Sequence, residues 1–284
     1  MAWFLSADLG DYLGAAGGFL RSRPAEHTIL LGAAETVRVK GPGAFGGPPV
    51  FGWWQGPGGA VTAAFLHTPP FAVVLTSMPA EVAAELAGLL AARGGRVSGV
   101  NADTTAGGAF ASAWRQRTGQ ETVVWMRTRL YGLGTLRPPE PAAEGRARVA
   151  GPADRGLVIA WCEAFHREAE PGPRGDLELM VDDRLGFGGF TLWEAGGQPV
   201  SLAGLSRPVA GQARVGPVYT PPGFRGRGYG GAVTWAVSRA ALDAGIAGVL
   251  LFTDLANPTS NALYQRLGYR PMADRAIWSF GSEE

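Results

Sequence analysis

The segment of this chain with the most chemistry in it is Val218-Tyr219-Thr220-Pro221-Pro222-Gly223-Phe224-Arg225-Gly226-Arg227-Gly228-Tyr229-Gly230-Gly231. It lies between a strand-like run and a long helical one. Its glycines let the backbone approach an anion closely, and the helix start that follows presents free N–H groups and a partial positive charge. Arg225 and Arg227 add formal charge, so the segment suits a diphosphate. Glycine is common here, with 44 in the chain, but that background explains neither the arginines nor their place at a helix start.

Gly226-x-Gly228-x-x-Gly231 also matches the dinucleotide fingerprint, and Asp254 ends the next strand-like run. In a dinucleotide fold the strand runs straight into the first glycine. Here Pro221, Pro222 and Gly223 intervene, the upstream strands read as antiparallel, and about 30 residues follow Asp254. A nicotinamide oxidoreductase is therefore the weaker reading. Lys40 is the chain's single lysine and is followed by Gly41-Pro42, which leaves no Gly-Lys-Ser/Thr phosphate loop and only a loop lysine for a Schiff base.

The elements that must position this segment follow from periodicity. After Asp154, Leu157, Trp161 and Phe165 recur at helical spacing, and a second helix is expected over 176–185. Strands are expected over 190–193, 200–205 and 213–220, the last two antiparallel across Pro208–Gln212. A helix over 228–244 carries Val233, Ala236, Val237 and Ala240 on one face, with Gly245 to end it. A buried strand over 249–253, a helix over 257–267 stopped by Gly268, and a strand over 276–280 complete the half.

The first half repeats that order. Helices are expected over 9–20 and 27–37, and strands over 50–54, 61–66 and 71–76. A helix over 80–92, a strand over 97–100, a helix over 105–117 and a strand over 121–126 follow. Trp114-Arg115-Gln116-Arg117-Thr118-Gly119 echoes Leu263-Tyr264-Gln265-Arg266-Leu267-Gly268. Between the halves, Arg137-Pro138-Pro139-Glu140-Pro141-Ala142-Ala143-Glu144-Gly145 has three prolines and no apolar period, as a connector does. The expected division is a domain over 1–136, a linker over 137–146 and a domain over 147–284. Mixed strands and helices place the chain in the α+β class, each half a mostly antiparallel sheet flanked by helices.

Composition narrows the function classes. The 25 basic and 24 acidic side chains nearly cancel, unlike the basic excess of a nucleic-acid binder. Hydrophobic residues make up 46% and charged residues 17%, too apolar for a disordered chain. The single cysteine, Cys162, excludes an intramolecular disulfide and a cysteine-rich zinc site, and it reads as core. No apolar run is long enough to span a membrane, and no secretory leader opens the chain, so a cytoplasmic location is expected.

Taken together, Arg225-x-x-Gly228-x-Gly230, the preceding Val215-x-Pro217-x-Tyr219-x-x-Pro222, Asn257-Pro258-Thr259-Ser260-Asn261-Ala262-Leu263-Tyr264 and Gly268-Tyr269 before a last strand resemble the GNAT (GCN5-related N-acetyltransferase) superfamily. The resemblance covers residues 147–280. It implies an acetyl-CoA-dependent N-acetyltransferase with no metal, acting on a primary amine of a small molecule or peptide by direct attack in a ternary complex. It implies that amides of Gly226, Arg227, Gly228, Tyr229, Gly230 and Gly231 hold the pyrophosphate, beside Arg225. It also implies that Val218, Tyr219 and Thr220 line the pantetheine arm where the strand splays after Thr220, with Asn257 and Ser260 completing the cofactor set. Tyr264 would protonate the departing thiolate.

The base is open among Glu163, His166 and Glu194; Asp254 is closer to the pocket in this reading, with ordering of the turn before Asn257 as its alternative use. The first half has no such loop. Ser77-Met78-Pro79-Ala80-Glu81 holds neither a glycine run nor an arginine, Glu81 disfavours a phosphate, and Arg115 stands where the echo would put Tyr264. It therefore resembles a degenerate GNAT domain in a tandem layout. Trp53, Trp54, Trp161 and Trp193 are candidates for an apolar cleft, although core packing is their ordinary use. No nucleic-acid or membrane partner is expected, and a homodimer is left open. A non-catalytic acyl-CoA sensor or scaffold fits the same loop.

Overall fold

The computed structural model describes residues 1–94, 96–169 and 175–281, and the chain divides into two compact units. The first comprises residues 1–130, 254–256 and 273–284. Its elements are β1 (Ala2–Ser6), α1 (Leu9–Ser22), α2 (Thr28–Lys40), β2 (Val50–Gln55), β3 (Val61–His67), β4 (Val73–Leu75), α3 (Ala80–Ala92), β5 (Gly99–Ala102), α4 (Thr104–Thr118) and most of β6 (Thr122–Leu133). The second comprises residues 131–253 and 257–272. It contains β7 (Arg146–Val149), α5 (Arg155–Ala169), α6 (Leu177–Gly186), β8 (Phe190–Ala195), β9 (Gln198–Leu205), β10 (Gln212–Tyr219), α7 (Tyr229–Asp243), β11 (Gly248–Asp254), α8 (Pro258–Arg266) and the start of β12 (Tyr269–Phe280).

Local chemistry sets most boundaries. Asp8, Asp103 and Asp176 cap α1, α4 and α6 by accepting from the amides of Asp11, Ala106 and Leu179 at 2.9 Å each. Gly119 ends α4 in the left-handed conformation, φ 73°.

The two units share one pairing pattern. In the first, β1–β2, β2–β3 and β3–β4 are antiparallel and β4–β5 is parallel. In the second, β7–β8, β8–β9 and β9–β10 are antiparallel and β10–β11 is parallel. The mixed, mostly antiparallel sheet with flanking helices is the expected class, and the shared pattern carries the repeat that the short echo suggested. The echo itself falls at matching places, the ends of α4 and α8.

The first unit completes its sheet with the chain's last strand. β12 runs antiparallel to β5, from Ala276↔Ala102 to Ser279↔Gly99, and Ala276 and Trp278 enter the core with Phe65, Leu86, Phe110 and Trp114. Conversely, Tyr131 from the end of β6 is buried in the second unit with Val215, Val233, Leu251, Tyr264 and Tyr269. The stretch 137–146, expected as a linker, lies inside the second unit, and 273–281 lies inside the first.

Two strands were not expected. β1 is short, and β7 is a polar edge strand whose Arg-Ala-Arg-Val carries no apolar period. The strand expected over 97–100 lies at 99–102, because Val97 is buried just before the ladder begins. No described helix is long and apolar enough to cross a membrane.

Candidate active site

The expected diphosphate segment connects β10 to α7. After β10, residues 222–224 form a single 3-10 turn, and Gly226 and Gly228 take φ of 75° and 80°. A side chain with a Cβ rarely adopts that backbone. Gly228 is the N-cap of α7, and no side chain caps the helix. The Ala232 amide donates to the Gly228 carbonyl at 3.0 Å, so Tyr229, Gly230 and Gly231 are the amides of the first turn that lack a helical partner. No acidic residue stands in that turn. Positive potential at this helix start is therefore neither capped nor neutralised. Gly231 has a further reason to be glycine, because a Cβ there would lie 3.0 Å from the Leu263 Cδ1.

The parallel ladder of β10 and β11 runs from Gln212↔Gly248 to Val215↔Leu251 and stops, although both strands continue. The splay thus begins after Val215, not after Thr220 as expected. The reason lies on the other side of β10, where the pairing with β9 shifts register between Val215 and Val218 and turns the strand out of line. Val218 and Tyr219 keep partners on β9, at Ala203 and Leu202. Buried Ser201, 0% exposed, donates to the Tyr219 carbonyl at 3.0 Å and meets the Thr220 hydroxyl at 2.8 Å. The strand end is thereby fixed beside the helix start, where Thr220 Oγ1 is 3.4 Å from a Cβ placed on Gly230.

Other expected site residues are placed less simply. Arg225 Nε donates to the Thr220 carbonyl at 2.9 Å, and its Nη2 donates to Glu168 on α5 at 2.5 Å. The Tyr219 hydroxyl reaches the same carboxylate at 3.1 Å. Arg225, first among the causes, holds the Glu168 carboxyl below the usual glutamate range. Arg225 thus ties the loop to α5, while Arg227 is exposed. The Tyr229 side chain turns inward against Ala195 and Val200, which leaves its amide for the loop. Asn257 caps α8, accepting from the Ser260 amide at 3.0 Å, and Asp254 accepts from the Ala256 amide at 2.8 Å, ordering that turn.

Tyr264 lies on α8 with its ring edge against Tyr269, and 8% of it is exposed. Burial pushes its hydroxyl up to about 12. Among the candidate bases, Glu194 is bound by Arg148 at 2.6 Å, with Asp154 on the same guanidinium, while Glu163 is exposed and His166 half-buried on α5. Cys162 is core, and burial pushes its thiol up to about 11. Trp54 is core as well, and Trp161 packs on Tyr219 at 6.3 Å. Trp193 donates to the Glu144 carbonyl at 2.8 Å.

Sequence reasoning missed Glu168, Ser201 and Tyr131, whose hydroxyl donates to Asn261 at 2.9 Å and accepts from Gln265 at 3.1 Å. Each acts through a partner at least 18 positions away, and no local spacing marks it.

In the first unit the β4–β5 ladder opens after Val74↔Asn101. That opening is filled by Arg275 of β12, which donates to the Leu75 carbonyl at 3.0 Å, the Asn101 carbonyl at 2.7 Å and the Asn101 side chain at 2.8 Å.

Residues 158–269 match the model of the acetyltransferase (GNAT) family. No curated protein matches the sequence. Among solved structures, a GNAT-family acetyltransferase from Colwellia psychrerythraea aligns over 100% of both chains, with a TM-score of 0.60 at 11% identity. A GCN5-related N-acetyltransferase from Sphaerobacter thermophilus aligns over 99% of this chain and 98% of its own, with a TM-score of 0.62 at 19% identity. A tandem GNAT protein from the clavulanic acid biosynthesis pathway aligns over 100% of both chains, with a TM-score of 0.56 at 13% identity. At those identities the likeness is one of fold, and it extends over both units. The segment that matches the GNAT acetyltransferase family model, residues 158–269, is the one that builds the opened strand pair and the uncapped helix.

Proposed function

We propose that the second unit transfers an acetyl group from acetyl-CoA to a primary amine, on a small molecule or a peptide, by direct attack in a ternary complex. The observation that carries this reading is the uncapped start of α7 beside a parallel strand pair that opens after Val215↔Leu251. The residues fit such a ligand at both ends. Amides of Tyr229, Gly230 and Gly231, with no carboxylate in the turn, suit the diphosphate. The edge of β10 beyond Val215, freed from β11, suits an amide-bearing arm that needs backbone partners. The first unit lacks that loop, and its strand opening holds Arg275, so activity is assigned to the second unit alone.

The acceptor nitrogen attacks the thioester carbonyl carbon, the carbon–sulfur bond breaks, and the sulfur leaves as thiolate. Tyr264, kept protonated by burial, gives that sulfur its proton. A thiol of ordinary pKa about 8.5 is a fair leaving group, so this proton is worth roughly 10²–10³-fold in rate. The proton of the attacking amine goes to Glu163, His166 or water. Glu194 is assigned no such role, because Arg148 holds its carboxylate. That same ion pair favours the second reading, an acyl-CoA sensor or scaffold that needs no base.

Thermal melting with about 1 mM acetyl-CoA, and NADH in parallel, tests the site. At ~100 times its Kd a ligand adds about 2.7 kcal/mol, several degrees in Tm. No shift with acetyl-CoA refutes the reading, and a shift with NADH alone transfers it to a dinucleotide. With an amine panel, Tyr264→Phe separates the remaining two. A rate loss with acetyl-CoA binding retained supports the enzyme, and binding without transfer to any amine supports the sensor.

A further inference from the structure

The segment 137–145 was read as a connector, yet it is fastened at both ends inside the second unit. The Arg137 amide donates to the Leu267 carbonyl at 2.9 Å, at the end of α8. The Glu144 carbonyl accepts from Trp193 at 2.8 Å, on β8. Gly145, φ 115°, passes so close to the Glu194 carbonyl that a Cβ would lie 2.1 Å from it. Between these ties the segment crosses the start of α7. Pro139 Cβ is 3.8 Å from a Cβ placed on Gly231, and Ala143 Cβ is 3.5 Å from one placed on Gly228. Ala143 packs against the cluster of Ala195, Val200 and Tyr229. Pro138, Pro139 and Pro141, with φ fixed by their rings, hold the strap rigidly to this course.

A ligand on the amides of Tyr229, Gly230 and Gly231 therefore has this strap within van der Waals reach on one side. α8 meets the same turn, with Leu263 Cδ1 3.0 Å from a Cβ placed on Gly231 and the neighbouring Tyr264 more than nine-tenths buried. We infer that the 137–145 strap is one wall of the acyl-CoA site, bracing the nucleotide diphosphate end of the ligand against α7. This rests on the acyl-CoA reading above and adds the residues that would set affinity for the nucleotide end, Pro139 and Ala143.

Titration calorimetry on the full chain tests it, with acetyl-CoA, 3′,5′-ADP and S-acetylpantetheine as probes. The variants are Ala143→Trp, the milder Ala143→Leu and, as control, Ala244→Trp at the exposed far end of α7. A wall at the nucleotide end predicts that Ala143→Trp weakens acetyl-CoA and 3′,5′-ADP at least 10-fold, with Ala143→Leu between it and the unaltered protein. S-acetylpantetheine and the control should change less than 2-fold. Equal acetyl-CoA affinity in both Ala143 variants and the unaltered protein overturns the inference while leaving the acyl-CoA reading intact. An equal loss for all three probes also overturns it, since that reports a general disturbance. No binding of acetyl-CoA or 3′,5′-ADP by the unaltered protein refutes the acyl-CoA reading, and the wall with it.

Discussion

Replacing Arg275 by methionine keeps the length of a side chain that is 7% exposed and removes the donors that fill the opening between β4 and β5. Three acceptors lose a partner there, the carbonyls of Leu75 and Asn101 and the Asn101 side chain. Each acceptor left buried and unsatisfied costs ~2 kcal/mol, ~6 kcal/mol together. Against this stands the cost of burying the charge. Burial pushes the guanidinium from 12.5 down to about 10, although Asp103 acts the other way. At about 1.4 kcal/mol per pH unit, the buried cation is disfavoured by ~3 kcal/mol, and the methionine variant recovers that amount. The net expectation is a loss of ~3 kcal/mol, which for a domain of this size lowers Tm by roughly 10 °C. Calorimetric melting of Arg275→Met beside the unaltered protein measures it. A fall of less than about 3 °C would mean that the three acceptors find other donors, and would refute the view that Arg275 closes this opening.

Other expectations follow from the same geometry. If Tyr264 is the acid, kcat should hold to about pH 11 with no loss from its ionisation, since burial puts it at about 12; a limb lost in Tyr264→Phe but centred near pH 9 would contradict this. Glu168 should stabilise the fold only where it is ionised. Arg225 depresses its carboxyl, so its contribution is complete above the unfolded glutamate value of about 4.3 and is lost as pH falls through the lower folded value. The Tm difference between the protein and Glu168→Gln should therefore close below about pH 4, and a difference that persists there would sink the assignment. Gly107→Ala would place its Cβ 2.0 Å from the Trp278 ring and should cost ~1–3 kcal/mol by overpacking, read as a lowered Tm; an unchanged Tm would show that β12 yields there.

Much of the second unit was legible because its elements carry their own marks. α7 has an apolar face and a glycine at each end, and α8 has Asn257 and Pro258 at its start and Gly268 beyond its end. The diphosphate loop was legible for the same reason, since a left-handed N-cap asks for glycine whatever surrounds it. β7 was not legible, because an exposed edge strand needs no apolar period and Arg148 works there as an ion-pair partner for Asp154 and Glu194. The point of splay also escaped: Gly216 and Pro217 lie within the register shift between β9 and β10, but a proline that cannot donate to a ladder does not tell which neighbouring strand is lost.

By itself the sequence determined the class of each half and the loop at Arg225 to Gly231, because helix caps, turn glycines and apolar periods act over a few residues; Tyr264 as candidate acid came only from the resemblance of its motif. Only the tertiary structure decided what those residues touch. It paired Arg225 with Glu168 across 57 positions, laid the proline-rich strap over the start of α7, and placed Arg275 in the opening of a strand pair formed some 175 residues earlier. Such contacts come from the closing of the chain on itself, and a charge or a proline carries no local sign of the partner it will meet.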